Sequence, residues 1–253
     1  MRRTFHLSPR FIPILAFAVA SGVVAFTGVV KSPVTVFLFV MSGWLISLCL
    51  HEFGHAIAAY HGGDRSVAGK GYLTLDPTAY TDPVLSILLP LVFLLLGGIG
   101  LPGGSVYIDH NQLRGKHWQS FVAAAGPLMT LACLVVLAVP LLLGWPALFG
   151  AREFWAAWSM LAMLQVTALL FNLLPIPGLD GFGMIQPYLP REVQARANQF
   201  AQFGVLLLFL ALSFVPAISS AFWTMTYAVA QTAGIDTRLY GLGYSLFKFW
   251  NFR

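Results

Sequence analysis

Three ionisable residues lie within little more than one helical turn inside an apolar stretch: His51-Glu52-Phe53-Gly54-His55 reads H-E-x-x-H. At 3.6 residues per turn the two histidines fall on one helix face about 6 Å apart along the axis. That spacing suits two imidazoles on one zinc ion. Glu52 falls beside the pair, placed to take a proton from zinc-bound water rather than to bind the ion, and the chemistry so encoded is hydrolysis. Matches of this kind also occur in soluble helices that bind no metal. Here the surroundings are apolar, and an ionisable side chain at membrane depth costs about 2.5–3.5 kcal/mol even on the lenient insertion scale, so three together require a function.

A hydrolytic zinc takes a third protein ligand and keeps one position open for water. The candidates are Asp180, His6, His61, His110 and His117. His6, His110 and His117 stand in polar, loop-like segments, where a solvated side chain is the ordinary reading. His61 lies about a turn and a half past His55, where the apolar run ends. Asp180 follows an apolar run that closes on Asn172-Leu173-Leu174-Pro175-Ile176-Pro177-Gly178-Leu179-Asp180-Gly181, and prolines so spaced forbid a continuing helix. Irregular backbone at membrane depth persists only against protein or a water-filled cavity, so a carboxylate carried on it is well placed to reach an ion.

The elements that must position these groups are apolar helices. Of 253 residues 58% are hydrophobic and 9% charged, with mean hydropathy +0.79. Soluble domains hold about 45–50% apolar and 25% charged residues, so soluble globular, disordered and disulfide-scaffold classes are excluded. Apolar runs near the roughly 20 residues that cross a bilayer extend over 11–30, 34–60, 118–144 and 154–174, and a longer one, interrupted by Pro216, over 200–233. That last run reads either as one kinked helix or as a helix plus an interfacial piece. The first, preceded by Arg2 and Arg3 and containing Ala18-Val19-Ala20, resembles a signal peptide but continues past that point as a retained anchor would. Residues 84–104 are apolar but short, carry Pro90, and end in a glycine-rich run. Gly71 to Leu75 reads as a short strand, and Cys49 and Cys133, both inside apolar runs, read as small buried side chains.

The formal charge of +5 is spread among the loops and forms no nucleic-acid-binding block. With the amino terminus in the cytoplasm and 84–104 entering and leaving on one face, Arg2, Arg3, Arg10, Arg65, Lys70, Arg114, Lys116, Arg191 and Arg196 face inward, and only Lys31 and Arg152 outward. A crossing by 84–104 would turn nine against two into six against five. The same non-crossing makes the helices bearing His51 and Asp180 run in one direction, with both sites toward one membrane face. The expected fold is therefore an all-α polytopic membrane protein of five to six transmembrane helices with a re-entrant or interfacial segment.

The two motifs together, H-E-x-x-H in an early span and N-x-x-P-x-P-x-L-D-G at the end of a later one (Asn172, Pro175, Pro177, Leu179, Asp180, Gly181), resemble the site-2 protease family of intramembrane zinc metalloproteases. The resemblance covers residues 34–185, and a Gly-Pro pair between the motifs, here Gly126-Pro127, is usual in that family. Met129-Thr130 departs from the small residue and Asn commonly found there. Gly103-Gly104-Ser105-Val106-Tyr107-Ile108 resembles the edge strand on which relatives pair an unwound substrate, a short β element near 103–108 for which a plain loop is the alternative. The resemblance implies a single transmembrane metalloprotease domain over 1–253, its core at 34–185 with accessory helices 11–30 and 200–233. It implies one zinc held by His51, His55 and Asp180, with Glu52 as general base. Asn172 would hydrogen-bond substrate backbone or the developing oxyanion, or else satisfy backbone freed by Pro175 and Pro177.

The expected activity is hydrolysis of peptide bonds within or near transmembrane segments of membrane-protein substrates, in the manner of regulated intramembrane proteolysis. The expected setting is a bacterial or archaeal cell membrane, with the site toward the cytoplasm and no nucleic acid involved. No room is left for a PDZ-like or nucleotide-binding regulatory domain, so selection would rest on the substrate's transmembrane segment or on a membrane partner. A membrane-anchored protease with a soluble active site would need a glutamate ligand, and Glu153 and Glu192 do not lie in a soluble domain. A zinc transporter or non-catalytic scaffold could use the same ligands, but a transport path would carry further intramembrane polar groups.

Overall fold

The computed structural model describes residues 7–79 and 106–250. The expected re-entrant segment 84–104 lies outside them, as do His6 and residues 103–105.

Three helices among the described residues are long and apolar enough to cross a membrane: α2 (Pro33–Gly62), α4 (Lys116–Leu142) and α6 (Arg152–Asn172). Length and composition thus support an all-α membrane protein. Among the described residues they yield three spans, or four if a bent helix near the carboxyl end counts as one. Helix α1 (Phe11–Thr27) is shorter, at 17 residues, and stops at Gly28 in the left-handed region. Ser32 caps α2 by accepting from the Val34 amide, with Pro33 in the first turn. At 1.5 Å per residue the 30 residues of α2 span about 45 Å, more than the roughly 30 Å of bilayer hydrocarbon. Its last third, which carries His51 to His55, therefore falls toward one end of the bundle.

Hydrogen bonds fix the helix directions. His55 reaches Val122 on α4, whereas His51, one turn earlier, reaches Thr130, two turns later. The Arg114 amide bonds the Gly62 carbonyl at 3.0 Å, so α2 ends where α4 begins. Helices α4 and α6 are joined by a connector holding the short α5 (Trp145–Phe149), and the Trp158 indole donates across to the Leu137 carbonyl at 2.8 Å. Consequently α2 and α6 run parallel, with α4 antiparallel to both. Helix α6 is the most enclosed of the three. Its alanines Ala156, Ala157 and Ala162 are fully buried, small residues that let backbones approach closely where lipid supplies no hydrophobic drive. The core around them joins Val40 and Trp44 of α2 to Met160 and Leu164 of α6.

After α2, a four-residue α3 (Ser66–Gly69) leads to Gly71–Leu75, which is not a strand. Tyr72–Thr74 is a 3₁₀ turn, because Gly71 (φ 82°) and Leu75 (φ 56°) on either side adopt left-handed backbone that no ladder tolerates, and the Thr74 hydroxyl closes onto the Gly71 carbonyl. Residues 106–108 form no strand either and run irregularly into a 3₁₀ turn at His110–Gln112.

Beyond α6, a short α7 begins at Asp180 (Asp180–Ile185), a 3₁₀ turn follows at Gln186–Tyr188, and α8 runs over Arg191–Phe214, bent by 66° between Arg191–Ala201 and Phe203–Phe214. The apolar run expected over 200–233 is thus two elements: α8 ends at Val215, which Pro216 biases out of the helical region (φ −109°, ψ 97°), and Pro216 opens α9 (Pro216–Thr232). A last helix, α10 (Thr237–Phe247), is capped by Asp236 and packs on α6 and α2, the missing side chain of Gly243 admitting the Ala156 carbonyl.

Candidate metal centre

One turn of α2 sets the His51 and His55 Nε2 atoms 3.1 Å apart. Asp180, first residue of α7, brings Oδ2 to 3.2 Å from the His51 Nε2 and Oδ1 to 3.3 Å from that of His55. The backbone turn at Pro175 to Gly178 makes this reach possible: α6 stops at Asn172, Gly178 takes φ 97°, and the chain folds back so that α7 starts beneath α2. Both histidines are buried, at 6% and 8% exposure.

Helix α4 orients both rings from behind. The His55 Nδ1 lies 2.7 Å from the Val122 carbonyl. A carbonyl only accepts, so in the neutral ring the proton sits on Nδ1 and the Nε2 lone pair faces Asp180. The His51 Nδ1 lies 2.8 Å from the Thr130 hydroxyl, which itself leans on the Gly126 carbonyl at 3.4 Å. Gly126 leaves space where it is needed, since a Cβ there would collide with the Nε2 atoms of both histidines. Gly54 similarly lets the Ala125 carbonyl of α4 press against α2.

These three side chains could hold a metal ion, their ligand atoms all lying within 4.8 Å of one another. Ligands about 2.0–2.1 Å from a tetrahedral zinc stand roughly 3.3 Å apart, close to the separations just given. Two imidazole nitrogens and one carboxylate form a zinc-type donor set, so the residues fit the ion.

Glu52, 3% exposed, lines the same cavity of about 630 Å³, as does Asn172, also 3% exposed. The Asn172 side chain makes no hydrogen bond among the described residues. It therefore faces the cavity rather than satisfying backbone freed by Pro175 and Pro177. The cavity opens past Val106, Ile108 and His110 on one side and Gln186 and Asn198 on the other. The remaining candidates stay away from the cluster. His61 is exposed at the end of α2, where its carbonyl accepts from Arg114, His110 stands at the mouth, and His117 pairs with the Tyr188 hydroxyl at 2.9 Å. Cys49, fully buried, and Cys133 form no disulfide among the described residues.

Sequence reasoning noted Thr130 only as a departure from the family pattern and Gly126 only as part of a Gly-Pro pair, gave neither a place beside the histidines, and missed the Val122 carbonyl. The available signal was a hydroxyl at membrane depth one turn after a Gly-Pro pair, which composition alone does not tie to a particular histidine.

The chain is 41% identical over 258 aligned positions to a protein of Mycolicibacterium smegmatis named "Putative zinc metalloprotease Rip2", covering 99% of this chain and 97% of that one. The like-named protein of Mycobacterium tuberculosis is 42% identical over 259 positions, with 99% and 96% covered. "Putative zinc metalloprotease YwhC" of Bacillus subtilis is 30% identical over 208 positions, covering 78% of this chain and 89% of its own length. No family model matches the chain, and no solved structure matches it.

Proposed function

The chain belongs to the site-2 protease family, and on that premise we propose that it is an intramembrane zinc metalloendopeptidase, hydrolysing peptide bonds within or next to transmembrane segments of membrane-protein substrates. The observation that carries this reading is the convergence of His51, His55 and Asp180 at 3.1–3.3 Å in a buried cavity shared with Glu52. His51, His55 and Asp180 hold one zinc per chain. When bound, zinc polarises the scissile carbonyl and lowers the pKa of water from 15.7 to about 7.

Glu52 accepts the proton of the attacking water and passes it to the leaving amine as the peptide bond breaks. Asn172 donates to the substrate carbonyl, where negative charge develops during attack. A substrate helix hides its scissile bonds in its own hydrogen bonds, so it unwinds before it enters.

The direction of the helices supports a site toward the cytoplasmic face of a multi-pass protein in a prokaryotic membrane. Helix α2 ends and α4 begins at one end of the bundle, the arrangement in which the basic residues of the loops lie inside. Residues 34–185 supply the catalytic core, and α1, α8 and α9 surround it.

The test is cleavage of a single-pass membrane protein by the purified chain in liposomes. Glu52→Gln should retain zinc and lose cleavage, because an amide cannot accept the proton. His51→Ala, His55→Ala and Asp180→Ala should each lose zinc. Turnover retained by Glu52→Gln, or full zinc occupancy in Asp180→Ala, would overturn the assignment. Zinc retained with no cleavage by the native chain would favour a scaffold or a transporter.

A further inference from the structure

Above the metal centre the cavity wall changes character. Asn111 of the 110–112 turn, Gln119 of α4, Gln186 after α7, and Gln194 and Asn198 of α8 all line it. They come from four separate elements, yet every one is a primary carboxamide. Gln194 and Asn198, four residues apart, share the cavity face of α8. Glu52, Asp180 and the histidines apart, no lining residue among the described ones is ionisable, although Lys116, Arg191 and Arg196 lie within a few residues along the chain.

The existing hydrogen bonds leave these amides half used. The Gln186 Nε2 donates to the Asn198 Oδ1 at 2.6 Å, the Gln194 Nε2 to the Leu189 carbonyl at 2.9 Å and the Gln119 Nε2 to the His110 carbonyl at 3.3 Å. Each bond braces one element against another and holds the side chain in place. The Oε1 atoms of Gln119, Gln186 and Gln194 and the Nδ2 of Asn198 have no partner among the described residues, while Asn111 is held by the Asp109 carboxylate. A braced carboxamide with one free edge presents the acceptor and donor of a peptide unit.

We propose that this carboxamide rim is a substrate subsite that binds the main chain of an unwound, uncharged peptide segment on its way to the metal centre, reading backbone N–H and C=O groups rather than side-chain charge. The proposal rests on the proteolytic reading above and names what that site recognises. Free oxygens accept from peptide amides that have lost their helical partners, and free amide groups donate to the exposed carbonyls. An intact helix has no such groups to offer along its middle and is refused. The absence of charge leaves the subsite indifferent to sequence and to salt.

The experiment measures binding separately from turnover. Zinc-loaded Glu52→Gln protein is titrated in detergent with a fluorescent, uncharged eight-residue peptide kept extended by interspersed prolines, and with the same peptide carrying N-methylated amides. Gln186→Leu with Asn198→Leu should weaken the unmethylated peptide roughly tenfold, as for the loss of two neutral hydrogen bonds, with zinc content unchanged and no added dependence on salt. Gln194→Leu, which leaves the Gln186–Asn198 brace intact, should weaken it by a smaller factor. The N-methylated peptide should bind the unaltered rim as weakly as the double variant binds the parent peptide. Equal affinity for both peptides, or unchanged affinity in both the double and single rim variants, would overturn the subsite. Failure of the native chain to cleave would leave this binding result readable and bear on the proteolytic reading alone.

Discussion

The Thr130 hydroxyl is the group that meets the His51 ring from behind, on the side away from the candidate metal site. If the His51 Nε2 is to hold zinc, its Nδ1 carries the proton and needs an acceptor, which Thr130 supplies at 2.8 Å. Partners of this kind typically govern metal affinity by about 10–100-fold. Thr130→Val keeps the shape and deletes the acceptor, so zinc affinity measured by chelator competition should fall within that range. Thr130→Asn, whose amide oxygen also accepts, should restore most of it, and an unchanged affinity in the valine variant would reduce Thr130 to packing. Gly126→Ala tests space rather than bonding: its methyl would meet both Nε2 atoms, and zinc should be lost while the helix content persists. At this scale the sequence was legible where chemistry imposes spacing, as in H-E-x-x-H and the Asp180 motif. It marked Thr130 as a departure from the family pattern but could not tie it to His51, because which residue of α4 meets which histidine is decided by helix rotation and depth, and these follow from packing.

Elements were legible wherever an apolar run ended on proline or glycine, and α2, α4 and α6 each begin and end within a few residues of the runs that announce them. The polar first half of α8 was missed because a helix wall facing a cavity has no apolar stripe, and α10 because eleven residues of mixed composition give little signal. The strand expected at Gly71 to Leu75 failed on two left-handed residues, Gly71 and Leu75. Buried contacts hold the loops that frame the site. Asp64, fully buried, accepts from Ser66 and, at 2.8 Å, from the Asp109 amide, fastening the 106–110 wall of the cavity to the end of α2. Asp64→Ala should loosen that wall, seen as faster amide exchange at Asp109, and slow cleavage without releasing zinc.

A second loop tie is pH-sensitive. Asp76 accepts from Ser8, Arg10 and Thr78. Partial burial pushes its carboxyl up, but the bonds from Thr78, with Ser8 and Arg10, outweigh this and hold it below the usual carboxylate range. A depressed folded pKa makes the tie complete above the unfolded value of about 3.9 and lost as pH falls below it. Protection of the Arg10 amide should therefore drop on acidification below about pH 4, and Asp76→Asn should show the low-pH behaviour already at neutral pH.

For the whole molecule the decisive property is that the three residues that could hold a metal ion come from the ends of two parallel helices. His51 and His55 stand late in α2, and Asp180 just beyond α6, so an antiparallel partner, α4, must separate these helices in the chain. The chain accordingly leaves α2 and enters α4 at one end of the bundle, with Arg114 bonded to Gly62, and turns at the other end through α5. Site-directed labelling in sealed vesicles tests this directly, in a chain whose own Cys49 and Cys133 are changed to alanine. Cysteines placed at Lys70 and Lys116, both exposed beside the metal-bearing end, should react with an impermeant maleimide from the same side, and one at Leu148, 72% exposed on α5, only from the other. Under the orientation set by the basic loops the shared side is the cytoplasmic one. Labelling of Lys70 and Lys116 from opposite faces would make α2 and α6 antiparallel in the membrane and separate Asp180 from the histidines, so it would remove the three-ligand centre together with the topology.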